Sequence, residues 1–221
     1  MRRALSIYPY LAPLILGPAS FLLWQREYAG NAKLVATAWL LPVLWAYIVP
    51  GIGTNVLKVW EFDTRFRLGR FRPHHGFVFG SATSMLAWLV HSSPARDLWS
   101  IVRSAIVLCA LIGFVNIVYD IKALRAGILR VYNQPWADGR SEVDIAMDYA
   151  PWFFGGFGAV YGGGIAAMEY LDPSFVIAFP VILALSLVVP TAGYVLQSMR
   201  RHGHWGTRPI EQNGERKCQS A

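Results

Sequence analysis

A backbone that enters lipid must satisfy its own polar groups, and a helix needs about 20 apolar residues to cross the hydrocarbon core. Six apolar runs of roughly that kind follow one another in this chain, at 7–24, 34–57, 77–91, 98–119, 152–168 and 175–196. The third is short for a crossing and has to stand nearly upright or thin the bilayer. The fold expected is an all-α polytopic integral membrane bundle of six transmembrane helices. A seventh is added if the amphipathic stretch 121–132 re-enters. Residues 1–199 form the transmembrane helical domain and 200–221 a polar tail, which places the chain in the cell membrane as a multi-pass protein.

Charge placement orients that bundle. Only 15% of the residues are charged, against about 25% in a soluble domain. Sixteen of the 20 Lys and Arg fall in the amino terminus, in 58–76, in 120–150 and in the tail; the other four are Arg26, Lys33, Arg96 and Arg103. Basic segments stay on the cytoplasmic side, so both termini are expected there. The same distribution assigns the net charge of +7 to contact with anionic lipid head groups of the bilayer, and no nucleic-acid partner is needed. The first 24 residues carry the two arginines and apolar core of a signal peptide. Pro9, Pro13 and Pro18 interrupt that core and no small-residue cleavage site follows, which reads as a retained first span. The two cysteines, Cys109 and Cys218, supply neither a disulfide framework nor a zinc site.

Chemistry-bearing residues concentrate beside the runs. The stretch 58–76 holds Lys58, Arg65, Arg67, Arg70, Arg72, Glu61, Asp63 and the pair His74 and His75. Pro50, Gly51 and Gly53 just before it predict a broken helix end, whose freed carbonyls lipid does not tolerate unless they face a cavity. Glu61 and Asp63 at that mouth are candidates for a general acid or for binding a cation; the alternative is pairing with Lys58, Arg65 or Arg67. A second acidic group comprises Asn116, Asp120, Asp138, Glu142, Asp144 and Asp148. Steps of four residues put Asn116 with Asp120, and Asp144 with Asp148, on shared helix faces. Ser141 is a candidate N-cap for a short helix through Asp148.

The catalytic candidates are therefore Glu61, Asp63, Asp120, Asp144 and Asp148, and the substrate-binding candidates are Asn116, Arg72, His74, Arg125, Arg130 and Arg140. No metal ligands are assigned; Mg²⁺ is the cofactor expected if the substrate is a diphosphate held between such carboxylates and arginines. Five histidines are too few for a membrane di-iron oxygenase. The function expected is a small membrane enzyme acting on an amphiphilic lipid or isoprenoid by cyclase- or transferase-like chemistry. Its inner-leaflet cavity would use aromatic walls to stabilise a carbocation. The alternative is a non-enzymatic carrier, or a subunit packing on a partner or a second copy through the glycine-rich fifth run. There Gly155, Ala159 and Gly163 recur four apart, as do Gly158 and Gly162, a spacing that lets helices approach closely.

Overall fold

Proline placement shapes the helices in the computed structural model, which describes residues 2–64 and 66–212. Arg65 and Cys218 lie outside those residues. In chain order the elements are α1 (Arg3–Glu27), α2 (Ala32–Val56), β1 (Trp60–Phe62), α3 (His75–Val90), α4 (Leu98–Arg125), β2 (Leu129–Val131), α5 (Gln134–Ala137), α6 (Glu142–Ala150), α7 (Phe157–Leu171) and α8 (Phe175–His202). Helices α1, α2, α4 and α8 are long and apolar enough to cross a membrane, and α3 is a shorter apolar helix. Leu14, Phe114 and Val176 on three of the long helices are 73%, 69% and 80% exposed. Apolar exposure on that scale is costly in water and costs nothing in lipid, so the chain is consistent with a helical membrane protein.

Wide turns of π-helix occur at Ala12–Leu16, Ala36–Leu40, Gly51–Val56 and Pro151–Gly156. Each contains a proline or has one within two residues, and proline has no N–H to return to the preceding turn and crowds the carbonyl there. At Pro50 the expected break is thus a π turn, and α2 continues to Val56. The carbonyls that prolines leave short of donors are used as cross-links between helices. Pro42 gives no N–H to Ala38, and the Tyr161 hydroxyl of α7 donates to that carbonyl. Pro190 gives none to Ser186, whose carbonyl accepts from the Trp45 indole at 2.8 Å. Tyr161 is fully buried. Tyr161→Phe removes its donor and is expected to destabilise the protein by about 1–3 kcal/mol, the cost of leaving a buried carbonyl unmet. An unchanged melting temperature in detergent would contradict this role.

Helix α4 lies chiefly against α7, α2 against α3, and α8 against both α7 and the π turn before it. The α4–α7 contact is backbone to backbone. A Cβ on Gly158 would stand 2.4 Å from the Leu108 carbonyl oxygen, and one on Gly162 2.4 Å from that of Ser104. The glycine face is therefore covered from within the chain.

Among the described residues a two-stranded ribbon departs from the helical pattern. Residues 129–131 form a strand and not the last turn of an amphipathic helix. Gly127, at φ +66°, terminates α4: its N–H bonds to Leu124 O at 2.9 Å and that of Ile128 to Ala123 O at 2.9 Å, the two hydrogen bonds of a Schellman cap. The chain leaves extended, and β2 pairs antiparallel with β1, matching Trp60 to Val131, Glu61 to Arg130 and Phe62 to Leu129. This ribbon ties the end of α2 to the end of α4. At the opposite end of the bundle, the α1–α2 turn, the end of α3 and the end of α7 meet.

Candidate functional site

Three of the residues singled out by sequence border one cavity beside the ribbon. It has a volume of about 90 Å³, and its wall includes Asp120, Asn116 and Arg72 together with His75, Tyr8 and Tyr119. Asp120 is buried, and its Oδ2 accepts from the Tyr149 hydroxyl at 2.6 Å. No hydrogen bond from the described residues engages its Oδ1. Asn116 spends its amide on the Ile112 carbonyl at 2.8 Å. Arg72 is 5% exposed and forms no ion pair with a described carboxylate; its guanidinium sits over the Phe62 ring, 5.6 Å from the centroid. Burial lowers its pKa from the ordinary arginine value, against the opposing influence of Tyr119, Tyr10 and Asp63. His75 brings a buried Nδ1 with no hydrogen-bond partner among the described residues. Trp45, Trp60, Phe62, Phe79 and Phe154 supply aromatic wall.

A second cavity of about 230 Å³ shares Trp60 with the first and is lined almost wholly by apolar groups, Val49, Ile52, Leu57, Phe153 and Leu187 among them. Tyr149 lines it too, so the residue whose hydroxyl holds Asp120 also forms a wall of the apolar chamber. The π turn after Pro50 makes room here. A Cβ on Gly53 would stand 1.8 Å from the Trp60 indole nitrogen, so only glycine lets the indole lie against α2.

The remaining candidates are held elsewhere. Glu61 faces its ladder partners, accepting from the Tyr132 hydroxyl at 2.7 Å and standing 3.4 Å from Arg130 Nη1. Asp63 is exposed beyond the ladder, its N–H bonded to Ile128 O at 2.8 Å. Asp144 closes a capping box with Ser141, the local reason that α6 begins where it does. Arg125 pairs with Glu142 at 3.8 Å, and Arg140 is exposed. Asp148 is buried in a separate knot, 3.0 Å from His202 Nε2 and accepting from Asn133 Nδ2 at 3.0 Å; it pins the end of α8 to α6. His74 packs against Tyr10 with ring centroids 5.2 Å apart, and burial, then Arg72, lower its pKa. Among the described residues no group of three or more His, Cys, Asp or Glu is placed to hold a metal ion. The acidic positions therefore do not gather into a site for Mg²⁺.

At the far end lies a cluster that includes none of the candidates expected from the sequence. Glu169 of α7 accepts from the Tyr28 hydroxyl at 2.5 Å and from the Ala95 N–H at 2.8 Å, and stands 2.7 Å from His91 Nε2. His91 Nδ1 lies 3.3 Å from Glu27 Oε1. Each of Glu27, His91 and Glu169 closes a different apolar run, and the shared polarity of those run ends was the available signal. Burial lowers the His91 pKa, but the hydrogen bond and charge of Glu169, with Glu27 behind, outweigh it and the net shift is upward. The folded state thus favours the protonated ring. Its stabilisation is complete below the unfolded value near 6.5 and is lost as pH rises through the elevated folded value. Thermal stability is expected to fall across that interval, and His91→Gln to flatten the profile. An equal slope in both proteins would assign the pH dependence to other groups.

No protein-family model, curated protein or solved structure matches this chain.

Proposed function

We propose that the chain is a six-span membrane enzyme, with both termini cytoplasmic, acting on an amphiphile of isoprenoid or lipid type in the paired cavities beside the ribbon. Asp120 is the acid or base, oriented by Tyr149. Arg72 and His75 receive an acidic or oxygenated head, and the apolar chamber behind Trp60 receives the chain. A charged or hydrogen-bonding group at membrane depth is costly and is kept where it has work. The observation that carries the reading is this single wall on which a buried acid, a buried arginine in no ion pair with a described carboxylate, and a histidine whose Nδ1 has no hydrogen-bond partner among the described residues face an aromatic cavity. Among the chemistries expected from sequence, proton-initiated cyclase-like reaction fits better than diphosphate ionisation, because the carboxylates do not assemble around a metal position while aromatic rings border the acid. The partner-subunit reading loses its main support, since α4 already occupies the glycine face of α7.

Arg72→Gln keeps the polar contact but removes the charge. Amphiphiles with acidic heads that co-purify with the wild-type protein are expected to be absent or strongly depleted in this variant, as read by mass spectrometry of the extracted lipid. Equal recovery from both would remove Arg72 from substrate binding. Labelling of cysteines introduced at Thr64 and Ser141 from the outside of intact cells would overturn the orientation.

A further inference from the structure

The third cavity, of about 330 Å³, lies at the end of the bundle away from Asp120, between the 91–97 connection, α4 and α7. Its acid is already committed. The Glu169 carboxylate meets Tyr28, His91 and the Ala95 N–H, so its acceptor positions are filled. Its donors are not committed. Arg103 lines the cavity, as do Ser92, Ser93 and Ser104, and none of these four side chains has a hydrogen-bond or ion-pair partner among the described residues. Of the other lining groups, Trp24, Ser100 and Glu169 are already bonded, His91 meets Glu169 through Nε2 and stands 3.3 Å from Glu27 through Nδ1, and the rest are apolar.

A wall with its acceptors spent and a guanidinium plus three hydroxyls free is complementary to a compact oxyanion with several acceptor oxygens. The guanidinium fork matches a phosphate face in two parallel hydrogen bonds, and serine hydroxyls rotate to meet the remaining oxygens. Val90, Val107, Leu108 and Ile165 border the same space, so an apolar chain attached to the anion also finds surface. We propose that this cavity is a binding site for a phosphate-type anion, with Arg103 as its principal ligand. A phospholipid head group and free phosphate offer the same chemistry. The site is distinct from the Asp120 cavity and does not depend on that cavity being catalytic.

The test uses the full-length protein in phosphate-free detergent, titrated with inorganic phosphate and, separately, with a short-chain phosphatidylglycerol against phosphatidylcholine, binding being read by calorimetry and by the melting temperature. Saturable binding is expected, with Arg103→Gln weakening it roughly tenfold or more, the loss of one charge-assisted contact. Arg96→Gln, which removes an equal charge from the neighbouring connection outside the lining, is expected to leave binding unchanged. Tighter binding of phosphatidylglycerol than of phosphate, with the same Arg103 dependence, identifies the lipid head as the ligand; equal affinity identifies the free ion. Because Arg103 is exposed, its replacement is not expected to disturb folding, and an unchanged wild-type-like melting temperature without ligand checks this. Undetectable binding of both ligands, or equal losses in Arg103→Gln and Arg96→Gln, would overturn the proposal.

Discussion

Gly162→Leu is expected to prevent α7 from seating on α4. The added Cβ alone would stand 2.4 Å from the Ser104 carbonyl oxygen and 3.0 Å from the Leu108 Cβ, distances that a side chain does not tolerate, and the atom it meets first is backbone, which has no rotamer to change. Gly158 meets the same obstacle one helical turn earlier, at the Leu108 carbonyl. Helix α4 also carries Asp120 and α7 carries Glu169, so separation of the two displaces an acid from each end of the bundle. Overpacking a close interface costs about 1–3 kcal/mol, occasionally more. Gly158→Leu with Gly162→Leu should exceed either alone and leave little folded protein in detergent. Gly139→Leu offers no such clash, having nothing within 4 Å of its Cβ position, but its φ of +68° makes that substitution strained. Gly51 is the better control, because its Cβ position is also open and its backbone is helical. A melting temperature for Gly162→Leu equal to that of Gly51→Leu would mean that the α4–α7 approach is not as close as described.

The second large effect is at Asp120. Replacement by Asn preserves shape and the Tyr149 contact but removes a group able to exchange a proton. If Asp120 is the acid or base, turnover falls by roughly 10² to 10⁴, the span of a general acid–base contribution. Tyr149→Phe leaves the carboxyl in place without its orienting donor and should reduce turnover less. Asp144→Asn weakens a capping box at an exposed helix start, with an expected cost of about 1 kcal/mol in stability and no direct effect on chemistry. The order Asp120 before Tyr149 before Asp144 is the signature of the proposed assignment. Equal losses at Asp120 and Asp144 would point back to a shared acidic cluster, and unaffected turnover in Asp120→Asn would remove the residue from the reaction.

The apolar runs made most of the helical elements legible, because burying or lipid-facing a continuous run is a local property of the chain. The Ser141 cap and the Gly158 and Gly162 contact were legible for the same reason, since both depend on spacing within one helix. The ribbon was not. Strand β1 sits in a stretch dominated by arginines, and β2 follows a helix whose apolar periodicity runs on past its true end; only Gly127 marks the stop, and its role depends on a left-handed conformation that residue type permits but does not compel. Pairing then depends on α2 and α4 ending side by side. Of the site, Asp120, Asn116 and Arg72 were readable as polar groups at run ends. His75 and Tyr149 acquire meaning only when α3, α4 and α6 are brought together, and Glu61, once opposite Arg130, becomes part of the ladder.

Conversion of an amphiphile in the cavity bordered by Asp120 and Trp60, as proposed, can be read by comparing the lipids carried by the wild-type protein and by Asp120→Asn after purification from the same membranes. Arrested chemistry with intact binding predicts that the variant retains a species the wild type has converted. A cyclisation shows as a change in chromatographic retention at unchanged mass, and a group transfer as a change in mass. The same species in the same amount on both proteins, or none on either, would contradict catalysis at Asp120.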